Sequence, residues 1–237
     1  MTISTLEVDG MSIPVQIGGR PRAAKLTIER DGSLQLVAAA DVRPEELRLF
    51  VDAKREWIYR KLAEKEALPY DPPVKQIVNG EGFLYLGRNH QLRIIETDRS
   101  EVLLDHGRLT LPRNLRAEAP EAIIAWYRKC GESWLRSHTG LWAKRLEVEP
   151  VGQVEVTDVG HRWGAATAAG RVRIHWATMQ LRPLLVEYVL VHELAHLREP
   201  HHGPAFWRLL GRAMPDCQDR KSELAQVGQR IWLGQVV

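Results

Sequence analysis

The chain has 237 residues, enough for one large domain or two small ones with a buried core. Apolar residues at 44% and charged residues at 27% are globular proportions, which exclude a disordered or collagenous chain. The net charge of +3 is spread evenly, with 11 basic and 11 acidic side chains in 1–70, 12 and 11 in 71–150, and 10 and 8 in 151–237, so the footprint of a dedicated nucleic-acid binder is weak.

The first residues carry no basic region followed by an apolar core, so no secretory signal is expected. Residues 1–40 read as strands. Ala24, Leu26 and Ile28 alternate with polar neighbours, as do Leu34 and Leu36 beyond Asp31-Gly32, which is a hairpin pattern. Residues 42–66 read as one helix with Leu47, Phe50, Val51, Ile58 and Leu62 on one face and Trp57 beside them. Asp41 is its expected cap and Pro44 sits near its first turn. Lys54, Arg55, Arg60, Lys61 and Lys65 interleave with Glu56, Glu64 and Glu66, the pattern of a solvated, ion-paired face. Residues 68–73 read as a linker.

Short strands are expected at 83–86, 90–96, 101–104 and 108–111, with Asp105-His106-Gly107 turning between the last two. A long helix follows at 118–146, striped by Ile123, Ile124, Tyr127, Trp134, Leu135, Leu141 and Trp142; Gly131 and Gly140 are its weak points. Strands resume at 153–158, 161–168 and 171–176. Three helices close the chain: one opening at Pro183, a short one after Gly203-Pro204, and one over 218–232. The strongly apolar stretch 184–197 is too short and too polar to span a bilayer. The pattern is α+β, divided as 1–70 (hairpin and helix), 71–115 (β-rich) and 116–237 (catalytic region), or one continuous domain.

The chemistry concentrates in His192-Glu193-Leu194-Ala195-His196. Spacing i, i+4 on a helix sets both imidazoles on one face, so two nitrogens reach one ion from a rigid support. Glu193 then lies beside the metal, where a carboxylate can deprotonate a bound water. Zinc lowers the pKa of such a water to about 7. Nickel or another divalent ion suits the same nitrogens. A catalytic zinc needs a third protein ligand and an open position. Glu199-Pro200 ends the helix, and a chain that turns back there can deliver His201 or His202. The spacing from His196 to His202 equals that of metzincin peptidases, although Glu199 stands where their glycine falls and Met214 reads as core rather than as their methionine turn. Cys217 is not required as a ligand; with Cys130 it makes no disulfide framework, so a reducing, cytoplasmic compartment is expected.

Several motifs resemble the YgjP-like or SprT-like, WLM-related zinc metallopeptidase domain proteins. They are Arg162-Trp163-Gly164, Ile174-His175-Trp176, the segment from Tyr188 through Leu197, the run from His202 to Trp207, and Pro215-Asp216. The amino-terminal hairpin, Lys54-Arg55-Glu56-Trp57-Ile58 and Phe83-Leu84-Tyr85-Leu86-Gly87 are similar too. The resemblance implies a zincin-like core, a small sheet packed on the metal helix, with His192, His196 and His202 as ligands and Glu193 as general base. It also implies that some relatives work at DNA. Two departures stand out: Ala165-Ala166-Thr167 replaces Ser-Cys-Ser, and His175 stands where Asn is common.

The expected activity is hydrolysis of a peptide or protein. Segment 171–176 or its neighbour 161–167 is the candidate edge for pairing with an extended substrate. His161, Arg162, His175 and Tyr188 are candidates for stabilising an oxyanion, and Trp163, Trp176 and Trp207 for a shell around the ligands. A zinc-dependent nucleotide pyrophosphatase is the chemical rival, without a phosphate loop to support it, since Gly80-Glu81-Gly82 is too short. A DNA-associated protein-processing module is the other. No membrane partner is expected.

Overall fold

Asp9 and Gly10 both take left-handed backbone angles (φ 53° and 75°) and turn strand β1 (Ile3–Val8) back onto β2 (Met11–Ile17). This is the Asp-Gly hairpin chemistry also expected one strand pair later. There β3 (Lys25–Ile28) and β4 (Leu34–Ala38) do pair antiparallel; Asp31 lies outside the described residues. The computed structural model describes residues 3–18, 24–28, 32–66, 72–148 and 150–237. Residues 68–71 of the expected linker are likewise outside them.

The chain divides into two units, Met1–Asp71 and Pro72–Val237. In the first, the sheet order is β1-β2-β4-β3, with β2 and β4 parallel. Leu6, Val8, Ile13, Val15, Leu36 and Ala38 of the sheet bury against Leu47, Val51 and Ile58. The expected single helix over 42–66 is two helices, α1 (Pro44–Asp52) and α2 (Arg55–Glu66). At the break, the Lys54 N–H bonds three residues back to Val51, and Arg55 pairs with Asp52 and Asp9. Asp41 does not cap α1. Arg43 is the N-cap residue, and its N–H and guanidinium both donate to the Glu46 carboxylate.

In the second unit, β5 (Gly82–Tyr85), β6 (Arg88–Ile95), β7 (Leu103–Asp105) and β8 (Arg108–Pro112) form a sheet of order β5-β6-β8-β7. Its turns use Leu86-Gly87 and His106-Gly107, all at positive φ. Helix α3 (Ala119–Leu146) follows a 3-10 turn at Arg113–Glu118. A three-stranded sheet, β10-β11-β9, is built from β9 (Val154–Thr157), β10 (Gly164–Ala166) and β11 (Val172–His175). The chain closes with α4 (Pro183–Ala195), α5 (Pro204–Ala213) and α6 (Cys217–Val227). One core joins the strand residues Phe83, Leu92, Leu109 and Leu111 to Tyr127, Ile174, Leu190 and Leu194, so 72–115 and 116–237 share an interior.

The last helix ends earlier than expected. Residues Gly228–Arg230 tighten to 3-10, Gly228 lies under the Trp163 ring, and Ile231 and Trp232 leave the helix to enter the core. Among the described residues no helix is long and apolar enough to cross a membrane.

The two glycines inside α3 differ. A Cβ on Gly131 would lie 2.9 Å from Met179 and from Val156, so this glycine lets α3 approach β9 and the 3-10 turn Trp176–Gln180. A Cβ on Gly140 would meet nothing within 4 Å. Gly140→Ala is expected to stabilise the protein by about 0.5–1 kcal/mol through helix propensity. Gly131→Ala is expected to destabilise it by roughly 1–2 kcal/mol through overpacking. Urea denaturation of both variants checks the contrast; equal shifts would contradict it.

Candidate metal centre

Helix α4 is apolar on almost every side: Leu185, Val186, Val189, Leu190, Val191, Leu194 and Ala195 are all buried. Its Pro183 sits in the first turn, where the missing N–H costs no intrahelical bond. The helix lies between α3 and α6 and against β10 and β11. Toward its C-terminal end His192 and His196 are one turn apart on one face.

His196 is the C-cap residue. Beyond it, Glu199 N–H returns to the Ala195 carbonyl, and Glu199-Pro200 reverses the chain. Arg198 fastens the reversal to the end of α3 by donating to the Leu146 carbonyl and pairing with Glu147 at 2.9 Å. This path delivers His202. Its Nε2 lies 2.9 Å from Nε2 of His192 and 3.1 Å from Nε2 of His196. His201, the other expected candidate, stays exposed outside this group.

The donor set fits a metal ion. Three imidazole nitrogens face one another, and no carboxylate shares the cluster. The nitrogens of a tetrahedral zinc site, at Zn–N distances of about 2.0–2.1 Å, stand about 3.3 Å apart, close to the two spacings seen here. His196 Nδ1 is 3.0 Å from the Glu199 carbonyl oxygen. An Nδ1–H donating there leaves the Nε2 lone pair aimed at the cluster. His192 Nδ1 is buried without a hydrogen-bond partner. Burial, and then the neighbouring His196, His202 and Lys221, push its imidazole down to about 3, and His202 is lowered mainly by burial. Both rings therefore keep free lone pairs at neutral pH, as metal ligands must.

Phe206, fully buried on α5, packs its ring 4.6–5.0 Å from all three imidazoles. Trp207 stacks on His202 and donates its indole N–H to the His202 carbonyl at 3.1 Å. Of the three tryptophans considered as a shell, Trp207 packs on His192 and His202. Trp176 belongs to the core beside Tyr127 and Trp232, and Trp163 packs on Gly228. Phe206 was the residue missed. Its signal was the helix start at Gly203-Pro204, which puts residue 206 four places beyond His202.

Glu193 is 7% exposed. Burial pushes its carboxyl up to about 7, opposed by the positive charge of Arg162. Tyr188 is buried with its ring 5.8 Å from His192, and burial raises its phenol so that it remains a donor. His175 is buried; its Nδ1 accepts from the Ala177 N–H, capping the 3-10 turn, and its Nε2 lies 3.5 Å from Asp158. His161 is exposed, outside the histidine cluster. Met214 and Cys217 are both buried in the core and outside the cluster too.

The YgjP-like metallopeptidase domain matches residues 22–227. The chain belongs to this family. Membership carries the metallopeptidase class and, with the three histidines, a divalent metal. A solved structure, the metallopeptidase zymogen of Pyrococcus abyssi abylysin, matches with a TM-score of 0.38 and 21% identity over 42% of this chain and 99% of that one. No curated protein matches.

The raised Glu193 carboxyl has a consequence for the metal-free protein. A group whose folded pKa of about 7 exceeds its unfolded value of 4.5 binds more protons when folded. Its contribution is fully present below about pH 4.5 and is lost as pH rises through about 7. Glu193→Gln should therefore be more stable than the parent at pH 8, by roughly 2–3 kcal/mol and with a higher melting temperature, and converge with it near pH 4.5. Melting curves of both proteins in chelator across this range check it; a gap that does not change with pH would contradict it.

Proposed function

We propose that the chain is a zinc-dependent metallopeptidase of zincin type, with His192, His196 and His202 as ligands and Glu193 as general base. The observation that supports this best is that His202 Nε2 lies 2.9 Å from His192 Nε2 and 3.1 Å from His196 Nε2, with the buried Glu193 next to His192 in the chain. A zinc ion in this setting supplies a Lewis acid for a peptide carbonyl and a water acidic near pH 7. The residues of the chain supply the rest. His192 and His196 are fixed by α4, and His202, which is exposed, completes the set. Glu193 takes a proton from the attacking water and passes it to the leaving amine. The Arg162 charge, felt at Glu193, favours the ionised base.

The sheet supports a peptide as substrate. Strand β10 pairs only with β11 among the described residues, and it lies against α4. Of the two segments expected as the edge, 161–167 has that position and 171–176 is internal. An extended peptide can add to β10 through main-chain hydrogen bonds. Ala165 and Ala166, two of the departures from the family pattern, stand on this strand, where substrate side chains would pass.

Zinc content and cleavage of an unfolded protein, each compared among variants, test the proposal. Glu193→Gln should keep its zinc and lose roughly 10²–10⁴ in kcat. His192→Ala with His196→Ala should lose zinc and activity together. Unchanged zinc in the double variant, or full activity in Glu193→Gln, would overturn the assignments. Release of pyrophosphate from a nucleoside triphosphate, with no cleavage of protein, would replace the peptidase by the pyrophosphatase.

A further inference from the structure

Strand β10 passes Glu193 at Gly164, and the approach leaves no room for a side chain. A Cβ built on Gly164 would lie 2.5 Å from Cγ of Glu193 and 2.9 Å from both Cδ and Oε1. Real Cβ contacts are essentially never this short, and the nearest atom is Cγ rather than the free end of the side chain. Relief therefore requires Glu193 to leave its rotamer. The φ of Gly164 is not in the left-handed region, so the backbone itself accepts any residue. What demands glycine here is the neighbour.

The wall formed by Gly164 is held from several sides. The Trp163 carbonyl accepts from the His175 N–H at 2.8 Å, joining the start of β10 to β11. Gly164 pairs with Ile174, which is fully buried. The Trp163 ring lies so near Gly228 that a Cβ there would be 2.6 Å from it. Strand β10 can therefore retreat little, and the carboxyl side chain is the part able to move.

We propose that Gly164 is a positioning residue: its bare Cα forms the slot that holds the Glu193 side chain in its rotamer. This rests on Glu193 acting as the base, but the contact itself can be tested without turnover. The slot also gives the Arg162-Trp163-Gly164 motif a physical division of labour. Trp163 anchors the strand, Gly164 makes the clearance, and Arg162 supplies a charge that reaches the same carboxyl.

The test is Gly164→Ala made in the parent and in Glu193→Ala, where all three clashing atoms are gone. In metal-free protein, the melting temperature should fall by roughly 3–10 °C in the parent background. It should fall by less than a third of that in the Glu193→Ala background. With zinc bound at the parent level, Gly164→Ala should lower kcat on the order of 10²-fold and change KM little, as expected for a displaced catalytic group. Equal melting losses in the two backgrounds would overturn the proposal, because the methyl would then meet something other than Glu193. So would a kcat within about threefold of the parent. If the parent cleaves no peptide, the peptidase assignment fails while the melting comparison still judges the slot.

Discussion

A largely buried helix that carries two imidazoles and a carboxyl must find partners for them, and that constraint organises the second unit. Over most of its length α4 contributes apolar side chains to a core shared with α3, β11 and the 72–115 strands. At its C-terminal end two imidazoles and one carboxyl enter the same region. Burying such groups without partners is costly, which is why the carboxyl is driven toward its neutral form and the His192 imidazole away from its charged one. A cation shared among three lone pairs reverses that cost. Metal affinity and folding of this region are then two aspects of one free energy.

The surroundings follow from holding the cluster at atomic tolerance. The chain must reverse within six residues of His196 to return His202, and Pro200 and the Arg198 anchor on α3 enforce it. Phe206 fills the space behind all three rings, and Trp207 ties the His202 carbonyl. On the other flank β10 comes close enough to constrain Glu193 while leaving its outer edge unpaired among the described residues. One strand thus limits the carboxyl and offers a surface for an extended chain. The family match at 22–227 takes in residues 22–71 of the first unit as well as most of the second.

Much of the centre was legible because it depends on local periodicity. The i, i+4 histidines, the Pro183 start and the Glu199-Pro200 stop are helix rules, and α4 obeys them closely. The choice of His202 over His201 was not local; it came from likeness to a family, and the reversal of the chain brings His202 to the cluster. The helix expected over 42–66 broke at Ala53 because apolar periodicity runs through a turn without interruption, and the ion pairs of Arg55 at the break are tertiary. His175 looked like a cleft residue by position, yet it caps a 3-10 turn whose existence no hydrophobic pattern announces. Gly164 was visible only as a letter in a motif, since its reason lies in Glu193, distant in sequence.

The central claim is that three imidazoles and one open position make up the metal centre. X-ray absorption at the zinc edge of the reconstituted protein tests it most directly. The expected spectrum has three imidazole nitrogens and one oxygen ligand at about 2.0–2.1 Å, with one imidazole lost in His202→Ala. A sulfur ligand at about 2.3 Å, or a spectrum unaltered by that substitution, would contradict the account.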